Sequence, residues 1–218
     1  MDVRTVQLPR DLTPADVAGR HVVVIDTLRA TTTIAHALHA GAAAVEPVAD
    51  LDEARRRKAA DPDVLLAGER GCVRVDGFDL GNSPAEFTPA AVAGRRVVFT
   101  TTNGTAALAA IGDAAAAAYT AALVNAAATA DALRGHPVTL LCAGTDGEPA
   151  AEDDAAARVI AAHLDRVPVP DVEAAVRGSE GAANLRRAGH AADIDLALRQ
   201  DTLPVVCRMK DGVTHATT

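Results

Sequence analysis

Aromatic side chains are almost missing from this chain: three Phe, one Tyr and no Trp in 218 residues. A core must therefore be assembled from Ala, Val, Leu and Ile, and the abundant alanine favours helices packed closely on a sheet. Cysteine is sparse as well. Cys72, Cys142 and Cys207 are odd in number and far apart, which excludes a disulfide framework and a paired thiolate metal motif and fits a reducing cytoplasm. Positive charge is short: the formal net charge is −8, and no window gathers Lys and Arg around aromatic residues. Nucleic acid is not an expected partner. Long apolar runs are lacking, and residues 1–20 hold no charged segment followed by an apolar one, so no membrane partner is expected. The one basic run, Arg55–Lys58, follows Asp52 and Glu53 at helical spacing and reads as a solvated face.

Several familiar signatures are missing too. There is no G-x-x-x-x-G-K-[ST], no G-x-G-x-x-G after a strand and no G-x-S-x-G elbow. Cys142 ends an apolar run, but no arginine follows it to bind a phosphate, so it reads as a core residue. His36 and His39 stand three apart without a carboxylate or thiol at matching spacing and read as ordinary core or surface histidines.

What the chain does have is alternation. Apolar runs at His21–Asp26, Ala43–Val48, Val64–Ala67, Val97–Phe99, Ala114–Thr120 and Val138–Ala143 read as strands, with Leu203–Met209 as a last one. Helical patterns lie between them: residues 31–40 ended by Gly41, a helix opened by an Asp50/Glu53 capping box, residues 125–133, and residues 152–164. Residues 170–198 read as short helices broken at Gly178, Gly181 and Gly189. Residues 72–80 alternate around Asp76-Gly77, the signal of a β-hairpin, and Ser83-Pro84-Ala85-Glu86 opens a helix. The expected fold is a single α/β domain over 1–218, a three-layer α/β/α with a mostly parallel, mixed sheet and a hairpin insertion.

Two of the strand-to-helix junctions share a design. RRVVFTTTNGTAALA ends a buried strand in Thr100, Thr101, Thr102, Asn103, Gly104 and Thr105, with Asn103 at an expected N-cap. HVVVIDTLRATTTI ends another in Asp26, Arg29 and Thr31, Thr32 and Thr33. Helix N-termini offer free N–H groups and positive potential, so both junctions suit a small anionic partner in one shared crevice. In a parallel sheet such sites lie beyond the C-terminal strand ends, where these polar clusters fall. The carboxylates there are Asp26, Glu69 and Asp79, with Glu152 and Asp153 further on. Two or three of these five could hold Mg²⁺, which takes oxygen ligands. Arg29 and Arg70 could clamp an anion or form a structural ion pair, such as Asp26 with Arg70. Asp26 could serve as metal ligand, base or nucleophile.

VVVIDTLRATTTIAHAL, GERGCVRVDGFDLGNSPAEF, VVFTTTNGTAAL and LLCAGTDGEPAAED, in that order, resemble the motif blocks of the 2-phosphosulfolactate phosphatases, the ComB family. The resemblance runs from about His21 to Asp153 and more loosely to AGHAADID and LPVV. It implies a Mg²⁺-dependent phosphatase acting on a small phosphorylated acid, 2-phospho-3-sulfolactate, in a step of coenzyme M biosynthesis. Carried over by position, it marks Asp26, Arg29, Glu69 and Arg70 as catalytic. It marks Thr31 to Thr33, Asn82 and Thr101 to Thr105 as substrate-binding, and Asp26, Glu69, Asp79, Glu152 and Asp153 as metal ligands. The alternatives are a phosphatase of another small phosphorylated carboxylic acid and a non-catalytic anion-binding domain. An alanine-rich surface helix could pack against a second copy, which admits a homo-oligomer.

Overall fold

Residues 22–25, 97–100 and 138–142 are buried along their whole length, as strands must be when helices cover both faces of a sheet. The computed structural model describes residues 1–217, with Thr105, Ala106 and Asp113 described by their backbone alone. In chain order the elements are β1 (Val3–Val6), α1 (Pro14–Val17), β2 (His21–Ile25), α2 (Ala30–His39), β3 (Ala44–Pro47) and α3 (Leu51–Ala60). Next come β4 (Leu65–Arg70), β5 (Val73–Arg74), α4 (Pro89–Val92), β6 (Arg96–Thr100), α5 (Gly104–Ala110), β7 (Ala117–Ala121), α6 (Ala126–Leu133) and β8 (Val138–Cys142). The chain ends with α7 (Ala151–Asp165), α8 (Glu173–Arg177), α9 (Glu180–Arg187), α10 (Ala191–Ala197), β9 (Val206–Lys210) and β10 (Val213–Thr217).

The strands form one ten-stranded sheet ordered β1-β8-β2-β7-β9-β10-β3-β6-β4-β5. Two parallel blocks, β1-β8-β2-β7 and β3-β6-β4, flank the β9–β10 hairpin, which is antiparallel to both neighbours. Side chains alternate across the sheet as the pleat requires. Val23 and Ile25 pack against α6 and α7, whereas Val22 and Val24 face α5 and α1. In the other block Val97 and Phe99 face α2 and α4, and Val98 faces α3. This is the three-layer α/β/α arrangement with a mostly parallel, mixed sheet.

The chain crosses between the blocks twice, through α2 from β2 to β3 and through α5 from β6 to β7. The three antiparallel pairings in the middle reverse the strand sense, so a flat sheet would put the tips of β2 and β6 at opposite edges. Instead they touch. A Cβ on Gly104, the first residue of α5, would lie 2.7 Å from Ala30 Cβ and 2.8 Å from Asp26 Oδ2. Five strand-to-strand steps of roughly 20–25° each turn the sheet through about 100° or more, which brings the two tips together.

The expected hairpin is displaced. β4 runs on to Arg70 and pairs with β5 through Glu69↔Arg74 and Arg70↔Val73, so the turn is Gly71-Cys72. Both have positive φ, 59° and 66°, as a type I′ loop demands. Asp76-Gly77 instead reverses the chain so that Leu80 returns beside β4, donating to Leu66 O and accepting from Gly68 N. Ser83-Pro84-Ala85-Glu86 makes only a 3-10 turn, and Ser83 does not cap it. Gly178 and Gly189 separate the short helices as expected, but Gly181 lies inside α9. Strands β1 and β10 carry too few apolar residues to announce themselves.

Candidate active site

At the tip of β2 the backbone turns sharply into α2. Asp26 Oδ1 accepts from Ala30 N at 3.1 Å, and Oδ2 faces Gly104. The three threonines that follow are buried, and their hydroxyls are engaged by the backbone. Thr31 Oγ1 bonds Asp26 O at 2.9 Å and Ala121 O at 2.7 Å, Thr32 donates to Thr27 O, and Thr33 donates to Asn82 O. They fix the start of α2, and Asn82 is tied in through its carbonyl. Asn82 Oδ1 is buried without a partner.

Glu69 and Arg70 are consecutive on β4 and so point to opposite faces. Glu69 lies on the cleft side, where Oε1 accepts from Thr102 N and Thr102 Oγ1 and Oε2 from Cys72 N. Arg70 is turned away, its guanidinium bonded to Glu69 O, Ala49 O and Thr100 Oγ1. The structure thus gives no Asp26–Arg70 ion pair. Arg29 is instead buried and paired, with its Nη1 2.8 Å from Asp193 on α10. Asn103 occupies the N-cap position of α5, but its side chain makes no capping bond. The Thr105 side chain lies outside the described residues.

The acidic pair at the start of α7 closes the site. Asp153 accepts from Thr27 N at 2.8 Å and from Gly144 N at 3.1 Å, stapling the tips of β2 and β8 together. Glu152 is buried, with Oε2 lacking any partner. A Cβ on Gly181 would collide with its Oε1, so only glycine leaves Glu152 its place. Asp79 is elsewhere. It accepts from Leu66 N at 2.8 Å, near the opposite end of β4, and lies 3.4 Å from Lys58 Nζ. Its grouping with the other four carboxylates is therefore corrected. The signal that misled was the turn itself: Asp79 satisfies a backbone N–H of the returning strand.

Burial dominates the electrostatics. It raises Asp26 to about 7, with Glu152 and Glu69 pushing the same way and the Ala30 N–H and Arg29 opposing. Burial also raises Asp153 well above the usual carboxylate range, with Asp26 adding to it, and raises Glu152. Asp26 thus interacts with Glu69, Glu152 and Asp153, and the nearby buried cation, Arg29, is already paired to Asp193. Such an excess of hard oxygen donors fits a divalent cation. Among the described residues, no three His, Cys, Asp or Glu side chains are grouped closely enough to enclose an ion alone. A Mg²⁺ ion would complete its shell with water and substrate oxygens, as it commonly does.

Beside this cluster opens a cleft of about 440 Å³. Glu69, Thr102 and Asn103 line it, as do Gly181, Asn184 and Arg187 of α9, with Cys72 and Asp146 also on the lining. The α9 lining, Asp193 and its second partner Ser83 (Oγ to Oδ1, 2.7 Å) were not read from the sequence. The AGHAADID segment, which includes Asp193, was the available hint. Burial raises the Cys72 thiol. Cys142, wholly buried, is a core residue as read.

A twisted α/β/α sheet whose strand tips gather buried carboxylates and hydroxyls beside an open cleft is the build of an enzyme for a small anionic substrate. Comparison with known proteins gives the particular family. A family profile described as 2-phosphosulpholactate phosphatase matches residues 6–212. A Deinococcus radiodurans protein named "Probable 2-phosphosulfolactate phosphatase" is 39% identical, covering 95% of each chain. One of the same name from Caldicellulosiruptor saccharolyticus is 32% identical over 99% of each. A third, from Parasynechococcus marenigrum, is 44% identical over 75% of this chain and 69% of its own. The chain belongs to the 2-phosphosulpholactate phosphatase family, a family of phosphoric monoester hydrolases. No helix among the described residues is long and apolar enough to cross a membrane.

Proposed function

We propose that this chain is a Mg²⁺-dependent phosphatase that hydrolyses 2-phospho-3-sulfolactate to 3-sulfolactate and phosphate, the reaction type of coenzyme M biosynthesis. The observation that carries the reading is the gathering of Glu69, Glu152 and Asp153 about Asp26 at the crossed tips of β2 and β6, beside a cleft that Glu69 lines. Four buried acids with so little compensating charge are costly to keep unless a cation or a reaction uses them.

The residues divide the work. Glu69 and Glu152 would hold Mg²⁺, the first on the cleft wall and the second with a partnerless oxygen. When bound, the ion neutralises charge on the phosphoryl oxygens. Asp26, titrating near neutrality, takes a proton from the attacking water as that oxygen bonds to phosphorus. The ester P–O bond breaks, the departing alkoxide of sulfolactate takes a proton from solvent water, and Asp26 returns the proton it took to solvent, which restores the base. Asp153 and Thr31 to Thr33 hold the loops in register, Thr102 orients Glu69 through its N–H and hydroxyl, and Asn103 on the cleft lining offers its amide to the phosphoryl group. Arg29 lends positive potential to Asp26 from its pair with Asp193.

Phosphate release from 2-phospho-3-sulfolactate with and without Mg²⁺ tests this. Asp26→Asn should lower kcat by about 10² to 10⁴, the usual worth of a general base. Unchanged turnover in that variant, or turnover indifferent to chelation of Mg²⁺, would refute the assignment. A panel of other small phosphorylated acids separates the proposed substrate from its relatives.

A further inference from the structure

We propose that Arg187, with Asn184 beside it, anchors the sulfonate of the substrate and so selects phosphorylated acids that carry a strong anion at the far end of the carbon chain. This rests on the phosphatase reading above. Gly181, Asn184, Arg187 and Ala188 all line the cleft. Spaced by three and four, they form one face of α9 and of the cap residue, Ala188, that ends it. That face runs from the inside of the protein to its surface. Its inner end is Gly181, in contact with Glu152, and its outer end is Arg187, whose side chain is 64% exposed. Six residues of helix rise separate the two, about 9 Å.

The guanidinium does not stay at the outer end. It bonds to Glu180 Oε1 at 2.7 Å and to Asn184 Oδ1, reaching back along the helix in the direction helical side chains lean. The positive head therefore sits over the first turn of α9, at the solvent-exposed rim of the cleft beside Asn184. The other charged residues on the described lining are Glu69 and Asp146, which leaves Arg187 as the one cation there. A substrate whose phosphoryl group lies at the acid-rich end must place its carboxylate and its sulfonate elsewhere. Arg187 is the cation on the described lining that can take one of them; the sulfonate, one bond further from the phosphorylated carbon than the carboxylate, is the group with the longer reach, and the planar guanidinium pairs with two of its oxygens. The pair that now occupies Arg187 is easily exchanged, because Glu180 is itself 67% exposed and ion pairs between exposed chains are weak.

The test compares phosphate release, with Mg²⁺ and the full chain, from 2-phospho-3-sulfolactate and from 2-phospholactate, which lacks the sulfonate. Arg187→Gln should raise KM for the first about ten-fold or more, the worth of a charge-assisted hydrogen bond. It should leave kcat and the KM for 2-phospholactate near their wild-type values, and Arg187→Lys should recover part of the loss. Equal KM increases on both substrates, or none on either, overturn the proposal. Calorimetric titration with 3-sulfolactate separates this inference from the phosphatase reading. Weaker binding by Arg187→Gln supports the anchor even if the wild type releases no phosphate, and unchanged binding overturns it.

Discussion

Replacing Asp26 with asparagine should stabilise the metal-free protein at neutral and alkaline pH while it removes activity. Asp26 is raised from 3.8 to about 7, first by burial. A carboxyl shifted upward contributes its stability below the unfolded value and loses it as the pH rises through the folded one. Between pH 5 and pH 7 the unfolded chain has given up this proton and the folded chain largely keeps it. The slope approaches 1.4 kcal/mol per pH unit, or about 2 kcal/mol over that window. The amide of the substituted side chain would keep an oxygen for the Ala30 N–H and has no proton to lose. The stability difference, variant minus wild type, should therefore grow by about 2 kcal/mol from pH 5 to pH 7 and level off above. Burial lowers the His21 and His36 imidazoles, whose effect runs the opposite way, but both proteins share them and they cancel in the difference. With no Trp to report by fluorescence, urea unfolding in EDTA followed by circular dichroism is the suitable assay. A difference that stays flat across pH 5 to 8 would refute the claim that Asp26 is held protonated by its surroundings.

Other perturbations test neighbouring parts of the site. Mg²⁺ should raise the melting temperature more at pH 8 than at pH 6, since the ion competes with protons for the same carboxylates; an equal rise at both values would place the ion elsewhere. Gly104→Ala puts a methyl group 2.7 Å from Ala30 Cβ and 2.8 Å from Asp26 Oδ2. It should cost about 1–3 kcal/mol and much of kcat, read by urea denaturation and turnover together. Asp193→Ala strands the buried guanidinium of Arg29, for an expected loss of about 3–5 kcal/mol that a denaturation midpoint would show. Asp79→Asn keeps an acceptor for Leu66 N and should leave kcat/KM within about two-fold, as for a surface change away from the site; a large loss of activity would restore Asp79 to it.

Much of the fold is legible in the sequence because both-face burial writes near-continuous apolar runs, as in Val22–Ile25 and, interrupted only by Thr139, Val138–Cys142. The β1 and β10 strands escape because each is short and half polar: β10 is held by the ladder to β9 and buries Thr214 rather than an aliphatic residue. Asp76-Gly77 has the better turn composition, yet Gly71-Cys72 makes the hairpin. Pairing of Glu69 with Arg74 fixes that register, and no local pattern reveals it. The site divides in the same way. Asp26 and Glu69 stand at strand tips, where topology predicts chemistry. Asp193, Asn184 and Arg187 come from a helical segment more than a hundred residues distant, and only the packing of α9 and α10 against that edge brings them in.

The placement of the site follows from the middle of the sheet. If β9 and β10 were absent and the two parallel blocks joined directly with the same sense, the tips of β2 and β6 would point the same way from the start, several strands apart. The hairpin reverses the sense, and twist then rotates one block against the other until α2 and α5 start side by side. Two helix N-termini in contact concentrate positive potential, and that potential lets Asp26 be surrounded by Glu69, Glu152 and Asp153 without driving the fold apart. Crowding by these acids explains why glycine stands at 104 and at 181: Asp26 with Ala30 at the first, and Glu152 at the second, occupy the space that a side chain would need. The acids and the two glycines are thus one feature, a crowded pocket of negative charge that the sheet's twist assembles from both of its halves.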